Sequence, residues 1–340
     1  MRQKYEENMK KTREKLRKMN RGKNFILRDI AMKKLLLTKT ALILLVLVVC
    51  LSGTAIAGPP LPTHNVEGNS GVFITPTAYL ANPPEGNNVF GLPSVSFTYA
   101  MIGEKDFESA VVTQNIWGKV ELGYALERIG LGDWPADVST ATAGTVHVDN
   151  HVFLHNFNTR LMVIEEGGYD CKWMPAVTLS AHFKWNEGIN DIDCQTSGLC
   201  GTLGADHDSG TEFTAIASKT ITGWLPRSLI VSAGLRNGDA IHTGLLGFAG
   251  ERRTTVEGSL IYFLSDNLLV AGEYRQKSDL VKQCTIGGKH LIKAENDWYD
   301  LCLGYILDEH ITIAGGYANF GNILNHREDN VWAIQLKYEF

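Results

Sequence analysis

The sequence predicts an all-β fold, a closed transmembrane antiparallel β-barrel of about twelve strands with short periplasmic turns and longer external loops. Three observations predict it. Apolar and polar residues alternate with period two from residue 94 onward, and no long stretch shows helical periodicity. The connections between the alternating runs are by turns short and long. The chain ends on "NVWAIQLKYEF" (330–340), where Trp332, Ile334, Leu336, Tyr338 and Phe340 share one parity and Ala333, Gln335, Lys337 and Glu339 the other.

Charge is distributed unevenly. Residues 1–57 hold 14 of the 32 Lys and Arg but 4 of the 37 Asp and Glu, which leaves 18 basic against 33 acidic residues in 58–340, net −15. So acidic a body argues against a nucleic-acid partner. Lys33, Lys34 and Lys39 precede the uncharged run Thr40–Leu51, and Ala55-Ile56-Ala57 supplies a small-residue cleavage pattern before Gly58. Residues 32–57 therefore read as a signal peptide cut after Ala57, and 1–31, without an apolar face, as an over-extended N-terminus. Val49 before Cys50 argues against lipid attachment there. Export permits disulfides, and Cys194 with Cys200, in one Gly- and Asp-rich loop, is the pair that spacing favours among five mature cysteines.

Residues 58–93, rich in Pro, Gly and Asn, precede the first strand as a periplasmic extension or a lumen plug. Strands are expected at 94–101, 106–115, 117–127, 151–165, 174–185, 211–220, 228–236, 254–264, 268–276, 296–307, 310–319 and 330–340, so that 94–340 forms the barrel. Most runs are of the length a tilted strand needs to cross a bilayer. Trp185, Tyr274, Trp332 and Tyr338 fall near strand ends on the outward parity, where headgroups favour aromatic rings. Closure would pair Ser94–Met101 with Val331–Phe340 and leave no edge. An Arg at Leu336 should then be costly, and the same change at Gln335 mild.

The inward parity carries Lys119, Glu121, Glu127, Arg160, His182, Lys184, Arg236, Glu257, Glu273, Arg275, Asp300, Lys337 and Glu339. Both signs are present, which suits a salt-bridged core or a narrow passage for small solutes better than a channel dedicated to acidic sugars. An outer-membrane hydrolase is the competing class: Ser180 and His182 share a parity but point inward, and Asp206-His207-Asp208 lies in a polar loop. His147, His151 and His155 are four apart, without the Cys or carboxylate spacing of a metal site beyond Asp149. The acidic loop residues Glu187, Asp191, Asp193, Asp206 and Asp208 match no EF-hand, and no Walker or Gly-rich dinucleotide loop occurs, so no cofactor is expected.

Two resemblances add to this. Gly71, Pro76, Thr77, Ala78 and Gly86, followed by an alternating strand, resemble the start of YjbH-like outer-membrane proteins over residues 69–127, which implies a link to exopolysaccharide production and brings no catalytic residues. "WAIQLKYEF" resembles the terminal strand of outer-membrane proteins, which implies that Tyr338 and Phe340 are read by the barrel-assembly machinery and that the strand faces outer-membrane lipid.

Overall fold

The computed structural model describes residues 63–340; the expected leader, its cleavage site and residues 1–31 lie outside them. Twelve strands close into one antiparallel barrel: β1 Ser94–Ile102, β2 Lys105–Ile116, β3 Val120–Gly130, β4 His151–Ile164, β5 Ala176–Glu187, β6 Ser209–Ile221, β7 Leu229–Ala240, β8 Phe248–Phe263, β9 Leu268–Arg275, β10 Trp298–Ile306, β11 Ile311–Asn319 and β12 Val331–Glu339. Each pairs with its neighbour in sequence, and β12 returns to β1 with Glu339 opposite Ser94 and Trp332 opposite Met101. Closure leaves no ladder edge without a partner, the condition for placing strands in hydrocarbon.

The alternation sorts the side chains. Phe97, Leu179, Phe183, Leu260, Leu301, Ile334 and Leu336 stand on the exposed outer face, while Glu121, Arg160, Lys184, Arg236 and Lys337 are buried inside. That is the reverse of a soluble protein, and only lipid outside reconciles the two. An aromatic girdle at the turn end is fuller than the sequence reading has it: Trp117, Trp173 and Trp224 sit in the turns themselves, the last two in edge contact at 5.4 Å.

Trp117 and Gly118 both take positive φ, 55° and 66°, and make the tight turn between β2 and β3, closed by the Lys119 N–H on the Ile116 carbonyl at 3.1 Å, so that three residues, 117–119, join the strands. Strand β3 therefore starts at Val120, three residues later than expected. The connection between β7 and β8 is also shorter than expected, 241–247, because both strands run on past the membrane-length segment and absorb a register shift between Phe248 and Arg253.

At the loop end, helices α1 Trp134–Ala141, α2 Ile189–Gln195 and α3 Leu199–Leu203, with the hairpins Cys284–Ile286/Lys289–Ile292 and Gly321–Ile323/His326–Glu328, fold over the barrel mouth. Trp134, Val138, Ile192, Leu291 and Leu324 pack there against Ile102, Ile129, Val152, Leu154 and Val331 from the inner wall. Trp134 donates its indole N–H to the Leu291 carbonyl at 2.8 Å. The expected Cys194–Cys200 bond is absent: both thiols are free, Cys194 exposed on α2 and Cys200 turned from it toward the apolar cap. Burial pushes the Cys200 thiol up to about 11, which makes it a poor nucleophile for exchange.

Candidate functional site: the barrel lumen

Residues 63–82 lie within the wall's inward face. Thr63–Asn65 pairs with Asn69–Gly71 in a short hairpin, and nearly all of the segment is buried. Such a segment must find partners for its own backbone groups, and here the wall supplies many of them. Gln335 brackets His64, accepting from its N–H at 2.9 Å and donating to its carbonyl at 2.8 Å. Asn158 donates to the carbonyls of Glu67 and Gly68, and the Ser218 hydroxyl accepts from the Ala78 N–H at 2.7 Å. Glu273 accepts from the N–H groups of Phe73, Ile74 and Thr75 at 2.7–3.1 Å and from the Thr75 hydroxyl at 2.6 Å. Glu121 takes the N–H groups of Ser70 and Ala81, while Arg160, 2.9 Å from Glu121, donates to the Thr77 carbonyl.

At the centre sits Glu67. Lys184 of β5 and Arg275 of β9 each approach it to 2.6 Å and Arg236 of β7 to 3.1 Å. Glu212 accepts from both Lys184 and Arg236, and Glu257 lies 3.1 Å from Arg236. Three cations and three carboxylates thus neutralise one another in a site closed to water, where the desolvation of each is offset only by its partners. Among the described residues this cluster ties one inserted carboxylate to three separate wall strands.

All the lumen candidates but one stand in the bore. Lys119 does not: the hairpin ends on it, and its exposed ammonium pairs with Glu165 of the next turn. His182 is buried and 3.1 Å from Asn156; Asp300 lies directly opposite Glu273 across the β9–β10 pairing; Lys337 and Glu339 pair at 2.6 Å. The mildness expected of an Arg at Gln335 is overturned, because that amide is 1 % exposed and holds His64 and Thr98 rather than facing an open polar bore. Tyr338 and Phe340 make an edge contact at 4.7 Å on the outer face.

Sequence reasoning missed two residues of the central cluster. Glu212 was open to detection, since it shares its strand's inward parity with Thr214, Ile216 and Ser218. Glu67 was not, because no period marks an inserted loop. The part of the inward face toward the loop end is apolar, through Ala100, Ile102, Phe107, Ile129 and Val331.

Two glycines permit the close fit. A Cβ on Gly123 of β3 would fall 2.1 Å from the Gly68 carbonyl oxygen, and Gly68 itself takes φ +91°. Gly123→Ala is therefore expected to unseat residues 66–70 while leaving the β3 ladder intact. Faster protease cleavage within 63–82, at unchanged heat-modifiable migration on gels, would show it; a cleavage rate equal to wild type would refute it.

The other candidates disperse. Ser180 and His182 face the bore, not lipid, and Asp208 accepts from Asn190 at 2.7 Å. His155 stacks on Trp185 at 5.2 Å and lies 2.9 Å from the Tyr124 hydroxyl. Asp133, Asp137 and His326 have metal-ligand spacing, but Lys289, 2.7 Å from Asp137, and Asn325, which donates to both carboxylates, already meet that charge. Their pull holds the Asp137 carboxyl below its usual range. Burial pushes His242, at the loop end, down to about 4 even with Glu295 at 3.7 Å, so its ring is neutral at physiological pH.

The family described as "Protein of unknown function (DUF3034)" matches residues 62–337. The chain belongs to this family. No curated protein matches it in sequence. Among solved structures, the chain is similar to the KdgM porin, at 8% identity over 73% of this chain and 99% of that one with a TM-score of 0.40. It is also similar to the COG4313 outer membrane channel from Pseudomonas putida F1, at 8% identity over 76% and 100% with a TM-score of 0.40. A third similar structure is the Salmonella typhi outer membrane phospholipase (OMPLA) dimer with bound calcium, at 7% identity over 76% and 94% with a TM-score of 0.35. None of these matches links the DUF3034 chain to YjbH-like proteins.

Proposed function

We propose that the protein is an outer-membrane barrel whose bore is shut at rest by its own residues 63–82, and that small solutes pass only when this segment is released. One observation carries the reading: Glu67, in the inserted segment, is held by Lys184, Arg236 and Arg275 from three wall strands. A permanently filled core could be built from wall side chains alone. Tethering by ion pairs concentrates the attachment in contacts that can be lost together. The protein reaches the membrane, on this reading, after cleavage behind Ala57 and with Phe340 presented to the assembly machinery. Polysaccharide export is the finer role that the YjbH-like resemblance suggests. It would require the apolar cap over the mouth to move as well, so passage of small solutes is the better-supported form.

Planar-bilayer recording tests this. Wild type should be silent, and a chain lacking residues 63–82 should conduct steadily. Silence from the truncated chain, once its heat-modifiable migration shows a closed barrel, would favour instead a non-conducting structural barrel with a salt-bridged lumen.

A further inference from the structure

Five neighbouring strands each turn one charged side chain to the centre of the bore, and the signs alternate: Lys184 on β5, Glu212 on β6, Arg236 on β7, Glu257 on β8 and Arg275 on β9. An arc that begins and ends on a cation carries one positive charge in excess. Its members touch in turn, Lys184 with Glu212, Arg236 with both acids at 3.1 Å, and Arg275 with Glu257 at 3.9 Å. The balancing negative charge comes from Glu67 of the inserted segment.

The contacts to Glu67 are those of a carboxylate-binding site. Its Oε1 accepts from Lys184 Nζ at 2.6 Å and from Arg275 Nη2 at 3.3 Å; its Oε2 accepts from Arg275 Nη1 at 2.6 Å and lies 3.1 Å from Arg236 Nη2. Each oxygen thus meets two cations, and the Arg275 guanidinium spans both. A planar fork of donors matches the paired oxygens of a carboxylate, whereas a spherical halide or a neutral amide answers only part of it. The wall side chains are also held without Glu67. Lys184 donates to the Thr243 carbonyl at 3.0 Å, Arg236 keeps Glu212 and Glu257, and Arg275 stands over the Trp298 ring at 5.9 Å. Departure of the segment would leave the donors in place, with one charge unanswered and little to reorganise before a new anion binds.

We propose that Lys184, Arg236 and Arg275 form a binding site for the carboxylate of a small monoanionic solute, and that Glu67 occupies it in the solute's stead while the segment is seated. The solute reaches the site along the bore once the segment lifts, a step that rests on the release proposed above; the site itself is tested without conduction. Acetate is the probe, because Glu67→Ala removes a fragment of acetate's size and charge from between the cations. Isotope-labelled acetate, followed by NMR on the folded chain in detergent, should bind Glu67→Ala saturably and at least about tenfold more tightly than acetamide, the scale of one charge-assisted hydrogen bond. Chloride at equal concentration should not displace it. Neither wild type nor Glu67→Gln, whose amide fills the same space, should bind acetate there. Adding Arg275→Met to Glu67→Ala should weaken acetate at least about tenfold at unchanged heat-modifiable migration. Where Glu67→Ala closes poorly, acetate present during refolding should raise the yield of closed barrel and acetamide should not. Acetate that fails to saturate, acetamide or chloride binding as tightly, or equal binding by Glu67→Gln would each overturn the proposal. Acetate binding to a Glu67→Ala barrel that stays silent in bilayers would defeat the release reading and support the site.

Discussion

Glu67→Ala is expected to destabilise the seated lumen by about 3–5 kcal/mol, the cost of leaving buried charge without its partner. The substitution strands Lys184, Arg236 and Arg275, with only Glu212 and Glu257 left to answer three cations. The wall keeps its own ladder of backbone hydrogen bonds, so the inserted segment should give way before the barrel does. Bilayer recordings should therefore show openings absent from wild type, and residues 63–82 should become accessible to protease at a denaturant concentration that leaves the barrel folded. A variant as silent and as protease-resistant as wild type would mean that the hydrogen bonds from Gln335, Glu273 and Glu121 hold the segment without its central ion pairs.

Leu336→Arg should cost about 2–4 kcal/mol, the penalty for a cation near the bilayer midplane on a lipid-facing strand. Leu336 is 51 % exposed on the outer face, opposite Phe97 of β1 across the closing seam. The loss should appear as less folded protein in membranes and a lower midpoint in urea unfolding from lipid vesicles. Deleting Phe340 should likewise reduce folded protein, yet leave the properties of each folded molecule unchanged, because its ring packs on Tyr338 at the turn-end rim, away from the bore. A Leu336→Arg barrel of wild-type stability would place β12 against protein rather than lipid.

These two predictions separate what could be read early from what could not. Leu336 follows from sequence, since a strand exposes alternate residues and the apolar parity of β12 is unbroken from Trp332 to Phe340. The same local rule gives twelve strands, their faces and the closing pair, because hydrogen-bonded neighbours in an up-and-down barrel are also neighbours in sequence. Lys119 shows the limit of that rule: its parity is inward, but the positive φ of Trp117 and Gly118 ends the hairpin on it, and at the rim water rather than the bore surrounds the side chain.

The sequence by itself determined that this chain is an antiparallel barrel of about twelve strands, that its inward charges are mixed in sign and that its last strand turns an apolar face outward, all consequences of period-two alternation acting within single strands. Only the tertiary structure decided what fills the bore. Glu67 stands 117 residues from Lys184 and 208 from Arg275, and no local pattern registers a contact at that separation. The same is true of the apolar cap, whose members come from loops with no common period, and of Glu127, which reads in sequence as one more lumen charge. That its oxygens are left without a hydrogen-bond partner among the described residues is set by where the wall strands place the Lys and Arg side chains around the closed barrel, a geometry that exists only once the twelve strands have met.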